Sequence, residues 1–133
     1  MFFKNKESEI KKNSKIKGSG WASASTEMYY NAPVAKRGYI YEFLEKDGSY
    51  KNDVLVVSSD GRGYDKIISI IMLGDNPSGY DVVKVNYDGR TRFVHRELVT
   101  YCARARLGKC ICKVSDKVMA DIDAGLARGL GLA

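Results

Sequence analysis

Between Arg37 and Val114 the chain repeats one pattern: a short β-branched or aromatic run, then a cluster of Gly, Asp, Asn or Pro. Tyr39-Ile40-Tyr41-Glu42-Phe43-Leu44 is followed by Asp47-Gly48-Ser49, and Val54-Leu55-Val56-Val57 by Asp60-Gly61-Arg62-Gly63. Ile67 to Leu73 gives way to Asn76-Pro77-Ser78-Gly79. Tyr80 to Tyr87 and Thr91 to Val99 flank Asp88-Gly89, the dipeptide of a tight hairpin. A last run occupies Lys109 to Val114. The unbroken apolar stretch Val54–Val57 predicts a strand buried on both faces. Chains punctuated this often close into a small barrel or sandwich.

One segment has a different period. Ser115 suits an N-cap, and Asp116 places a carboxylate in a first turn, where the helix dipole favours it. Val118, Ile122 and Leu126 recur every fourth residue and Met119 joins their side, predicting a C-terminal helix packed on the strands. Gly125, Gly129 and Gly131 weaken its end, so fraying is expected after about Arg128. The fold class is therefore mainly β with a C-terminal α-helix.

The 133 residues suffice for one domain and one core. No apolar run approaches the roughly 20 residues that cross a bilayer, and Met1-Phe2-Phe3 passes directly into lysines. No membrane association and no secretory signal are expected, and the protein is expected in the cytoplasm. Three cysteines without a framework spacing fit a reducing compartment and read as buried thiols. They read as no metal site, since His95 is the sole histidine and stands far from Cys110 and Cys112. The net charge of +6 is uneven: residues 1–17 carry Lys4, Lys6, Lys11, Lys12, Lys15 and Lys17 against Glu7 and Glu9. Residues 1–20 read as a basic, flexible tail, residues 21–36 as an extension of uncertain packing, and residues 37–133 as the domain.

Arg106-Leu107-Gly108-Lys109, then Ser115-Asp116-Lys117-Val118-Met119, then Asp123 and Leu130-Gly131-Leu132 resemble the C-terminal signature of the PemK/MazF toxins. Arg37-Gly38-Tyr39-Ile40-Tyr41 is similar to that family's opening Arg-Gly-Asp-Ile-Tyr, and Val54 to Asp60 to its second strand. The resemblance is collinear over residues 37–132. It implies an SH3-like small β-barrel, usually a homodimer, that cleaves single-stranded RNA without a metal or other cofactor and is restrained by an antitoxin peptide. Two positions depart from the pattern. The family's catalytic Arg-Pro before the second strand is Asn52-Asp53 here, with Lys51 the nearest cation. The Thr or Ser ending its third strand is replaced by Met72-Leu73.

Cleavage through the 2′-hydroxyl needs a base, an acid and a positive group for the phosphorane. His95 and Glu97 are two apart on an expected strand and would share a face, making them the candidate acid–base pair. Lys51 is the candidate cation, and Ser58, Ser59, Arg62, Arg90 and Arg92 are candidate substrate contacts. The pair also reads as a local ion pair beside Phe93. Tyr39, Tyr41, Tyr64, Tyr80, Tyr87 and Tyr101 read either as stacking surfaces for bases beside Arg62 and Arg92 or as core and rim packing. Two functions follow: an endoribonuclease with a rearranged site, or a catalytically inactive binding module for nucleic acid, an antitoxin-like peptide or a gyrase-type target. In a third reading the lysine-rich tail alone tethers the barrel to nucleic acid.

Overall fold

The computed structural model describes residues 32–79 and 82–132. The expected tail and most of the 21–36 extension lie outside them. Five strands form one antiparallel sheet: β1 (Tyr39–Leu44), β2 (Tyr50–Val56), β3 (Ile67–Met72), β6 (Thr100–Ala103) and β7 (Leu107–Lys113), in the order β6-β3-β2-β1-β7. β4 (Val82–Tyr87) and β5 (Arg90–His95) make a separate two-stranded ribbon. Among the described residues a single bridge joins them: Gly74 and Phe93 exchange backbone hydrogen bonds, each 2.9 Å. Beyond Met72 the chain thus turns from one sheet to edge the other, and the expected barrel is two packed sheets that are not closed by one continuous ladder.

The register explains the apolar runs. Leu55 opposes Ile40 on one side and Ile71 on the other. Leu55, Val57, Ile40 and Ile71 face Val85 and Val94 of the ribbon and Ile122 of the helix. Val54 and Val56 alternate to the opposite face, with Tyr41, Phe43, Ile68, Ile70 and Leu107. The sheet is buried on both faces, which is why Val54–Val57 shows no polar alternation. On the second face Ala35 is fully buried, and the Tyr41 hydroxyl donates to Val34 O (2.8 Å) while accepting from Lys36 N (3.0 Å). The described part of the 21–36 extension therefore packs on the sheet.

The helix α1 (Asp116–Gly129) starts as its sequence predicts, with Ser115 Oγ accepting from Val118 N at 3.1 Å. Ile122 is fully buried, and Val118, Met119 and Leu126 pack around it on the first core. Arg37 clamps Asp123 with both terminal nitrogens, at 2.6 and 3.1 Å, tying the helix to the start of β1. Asp88 and Gly89 adopt φ of 51° and 69°, the left-handed pair of a type I′ turn, and Tyr87 faces Arg90 across it.

Two expectations are corrected. The run Thr91–Val99 is not one strand. β5 ends at His95, where Leu98 N bonds back to His95 O, and Thr100–Ala103 forms an edge strand on β3 instead. Nor are all the thiols buried: Cys110 is exposed on β7, while Cys102 and Cys112 are half-buried. No helix among the described residues is long and apolar enough to cross a membrane.

Candidate functional site

A buried polar cluster stands where β2 begins. Asp53 is 2% exposed, an expensive position for a carboxylate unless hydrogen bonds and opposite charge surround it. Tyr50 donates to its Oδ1 at 2.9 Å and Tyr87 to its Oδ2 at 2.6 Å. Nη1 of Arg90 and Nη1 of Arg92 each lie 3.6 Å from Oδ2. Burial, then the Asp53 carboxylate, push the Tyr87 hydroxyl well above its ordinary pKa, so it remains a donor. A hydrogen bond to Tyr50 raises that of Arg90 further still.

Arg92 is buried as deeply as its partner. Its Nη2 donates to Asn52 Oδ1 and Leu73 O, both at 3.0 Å, and its Nε pairs with Asp75 Oδ1 at 2.8 Å. Asn52 in turn donates through Nδ2 to Leu73 O at 3.1 Å. The ends of β2, β3 and β5 are thereby knotted together by side chains.

His95 closes β5 on the opposite face, since alternate residues of a strand point opposite ways. Its Nε2 lies 2.9 Å from Asn76 O. A carbonyl only accepts, so Nε2 carries the hydrogen and Nδ1 is the atom left for chemistry. Nδ1 faces Gly79, where a β-carbon would stand 3.5 Å from it and 3.7 Å from Glu97 Oε2. Gly79 has φ of 124°, a backbone state open mainly to glycine, and its missing side chain leaves the space on which both groups converge. His95 and Glu97 are therefore brought together, though not by sharing a strand face: the turn after His95 carries Glu97 back.

The other predicted site residues are dispersed. Lys51 pairs with Glu45 across the β1–β2 hairpin at 3.4 Å. Ser58 Oγ accepts from Ser69 N at 2.5 Å, sealing β2 against β3, and is nearly buried. Ser59 precedes a 3₁₀ turn (Asp60–Arg62), and Arg62 pairs with Asp65 at 2.6 Å. Ser58 stands five residues beyond Asp53, about 17 Å along the strand direction. Arg90 and Arg92 alone join the Asp53 cluster, and the segment 73–79 is what this cluster shares with His95, through Leu73 O and Asn76 O. Among the described residues no three His, Cys, Asp or Glu side chains are grouped to hold a metal.

Solved structures resemble this one over most of its length. A mycobacterial endoribonuclease in complex with its cognate antitoxin superposes with a TM-score of 0.63 at 22% identity, covering 77% of this chain and 98% of that one. The MazE–MazF structure from Deinococcus radiodurans gives 0.65 at 18% identity, covering 76% and 99%. The toxin MazF-mt6 of Mycobacterium tuberculosis gives 0.61 at 12%, covering 71% and 98%. The fold is that of the MazF toxins. No protein-family profile and no curated protein matches the sequence.

On this MazF-like fold the two departures become neighbours. Asn52, at the place of the resemblance's arginine, bonds Leu73, at the end of the third strand, and the Arg92 guanidinium bonds both. A cation thus reaches that spot from β5, where the sequence shows none on β2. Asp53, Tyr50 and Asp75 were not singled out by sequence reasoning as site residues, and Tyr87 only as a candidate surface for base stacking. The available signal was an acid set directly against the apolar run Val54–Val57, one residue before an inward-facing valine.

Proposed function

We propose that this chain is a toxin of MazF type that cleaves single-stranded RNA at preferred sequences, without a metal ion, through a site centred on His95 and Glu97. The observation carrying the proposal is the convergence of His95 Nδ1 and Glu97 Oε2 on the open space at Gly79, in a fold shared with endoribonuclease structures. The Glu97 carboxylate takes the proton of a ribose 2′-hydroxyl, whose oxygen then attacks the adjacent phosphorus. The bond from phosphorus to the 5′-oxygen breaks, and the protonated imidazole gives its Nδ1 proton to that oxygen. The products are a 2′,3′-cyclic phosphate and a 5′-hydroxyl. Asn76 O, holding Nε2–H, fixes the ring so that Nδ1 is presented. Lys51 and Arg90 supply positive charge for the phosphates, Arg92 acts from beneath by holding Asn52 and Leu73 O, and Ser58, Ser59 and Arg62 are outlying contacts. An antitoxin peptide as inhibitor, a homodimer as working unit and a cytoplasmic site of action belong to the same reading.

Incubation with a long single-stranded RNA in EDTA tests it. Defined cuts bearing 2′,3′-cyclic phosphate ends, and abolished by a 2′-deoxy residue at the cut, are expected. Intact RNA after prolonged incubation with folded protein would contradict the reading.

One observation favours a second reading, a binding module of the same fold without catalysis. The guanidinium nearest the resemblance's catalytic position, that of Arg92, is enclosed between Asp53 and Asp75 and is 4% exposed. A protein that binds RNA or a protein partner but leaves RNA intact would match it.

A further inference from the structure

Asp53 is buried, yet two of the groups it holds are not. Tyr50 is 53% exposed and the Arg90 side chain 49%, and both are fastened from behind by the one carboxylate. The Tyr50 hydroxyl donates to Asp53 Oδ1, so the ring cannot swing away as a surface tyrosine ordinarily does. Arg90 Nη1 lies 3.6 Å from Oδ2 of the same carboxylate, which brings the guanidinium to the group that also holds the Tyr50 hydroxyl. Tyr87 and Arg92 complete the carboxylate's surroundings from within. A half-exposed tyrosine and a half-exposed guanidinium are thus gathered at the surface around one buried carboxylate. They supply the two parts that a single-stranded nucleotide requires: a π-face for the base and a guanidinium for the phosphate.

We propose that Tyr50 and Arg90 form a nucleotide-binding platform, with Asp53 as its positioning residue, that holds one unpaired base and its phosphate at the β1–β2 and β4–β5 hairpin ends. The proposal rests on RNA as the ligand of the proposed function, and adds a subsite to it on the face of β5 opposite His95. Arg90 and His95 lie five residues apart, about 17 Å along the strand, so the platform anchors RNA away from the scissile bond. Stacking accepts any base, so the platform contributes affinity and leaves sequence preference to other contacts. The Tyr50 hydroxyl is already held by Asp53, so its ring loses less freedom on binding than an untethered side chain would.

The test uses a fluorescent single-stranded 2′-O-methyl oligonucleotide, which has no free 2′-hydroxyl and so separates binding from cleavage. Tyr50→Ala should weaken binding about tenfold, equivalent to about 1.4 kcal/mol, while Tyr50→Trp should retain it. Arg90→Gln should lower the slope of log K against log salt by about 0.7, one phosphate contact on a single strand. Asp53→Asn, compared at a temperature where it remains folded, should lose both effects together. A duplex of the same sequence should bind independently of Tyr50. Folded Tyr50→Ala and Arg90→Gln proteins that bind like the parent would overturn the platform, even if ordinary RNA is cut. Tyr50- and Arg90-dependent binding without any cleavage of ordinary RNA would sustain the platform and refute the nuclease. No binding by the parent would overturn the platform, while the nuclease stands or falls on the cleavage of ordinary RNA.

Discussion

Asp53→Asn isolates the feature on which the geometry at the start of β2 depends. The substitution keeps the shape and removes the charge. The Arg92 guanidinium then faces an amide at about the same distance, in a place where it is 4% exposed and water does not replace the lost partner. Removing one member of a buried ion pair costs roughly 3–5 kcal/mol. Arg92 keeps Asp75, so the lower end applies, about 3 kcal/mol. The half-exposed Arg90 adds less than about 1 kcal/mol because solvent screens it. For a body of this size each kcal/mol moves the melting temperature by about 4 °C or more, so a loss of at least about 12 °C is expected. Asp75→Asn is the internal control. That carboxylate touches Arg92 more closely, at 2.8 Å, but is 82% exposed, and its loss should cost no more than about 1 kcal/mol. Scanning calorimetry of the two variants beside the parent decides the matter. Equal losses, or a fall of under 3 °C on the order of measurement error for Asp53→Asn, would refute the claim that burial rather than contact distance sets the strength of this cluster.

Further predictions concern separate parts of the fold. Because the folded-state pKa of the Tyr87 hydroxyl is raised, its stabilisation is complete below the ordinary tyrosine value of 10.0 and declines as pH climbs above it. Alkaline urea titrations should show that decline in the parent and a shallower one in Tyr87→Phe. Burial pushes the Cys102 thiol to about 11, so at mildly alkaline pH mass spectrometry should find the exposed Cys110 alkylated well before Cys102. Ser115→Ala removes the cap on Val118 N and should cost about 1 kcal/mol in chemical denaturation. Arg62→Ala breaks an exposed ion pair with Asp65 at the far end of β2 and should change stability in chemical denaturation by no more than about 0.5 kcal/mol.

Much of the fold was legible because local signals agreed with tertiary ones. The Asp88-Gly89 turn, the Ser115 cap and the fourfold spacing of Val118, Ile122 and Leu126 each needed only short-range chemistry, and each stands where it was expected. Val54–Val57 announced two-sided burial through its lack of polar alternation. β6 escaped notice because an edge strand such as Thr100-Tyr101-Cys102-Ala103 is largely exposed and carries little apolar patterning. Arg96 and Glu97 interrupt a run that otherwise looks extended, and the turn they occupy depends on backbone bonding that residue type does not encode. The candidate site was half visible for a similar reason. His95 and Glu97 could be paired by their spacing, although a turn brings them together. The Asp53 cluster joins residues from β2, β4 and β5 whose common carboxylate appears only in three dimensions. Ser58 was a candidate substrate contact in the sequence, while its hydroxyl serves the β2–β3 backbone.

The most direct measurement compares RNA cleavage in EDTA by the parent with that by His95→Ala and Glu97→Ala, after each variant is shown to melt as the parent does. The account predicts defined cuts by the parent and their loss in both variants, with binding of a 2′-O-methyl oligonucleotide retained. Cuts that persist in either variant would place the chemistry elsewhere and contradict it.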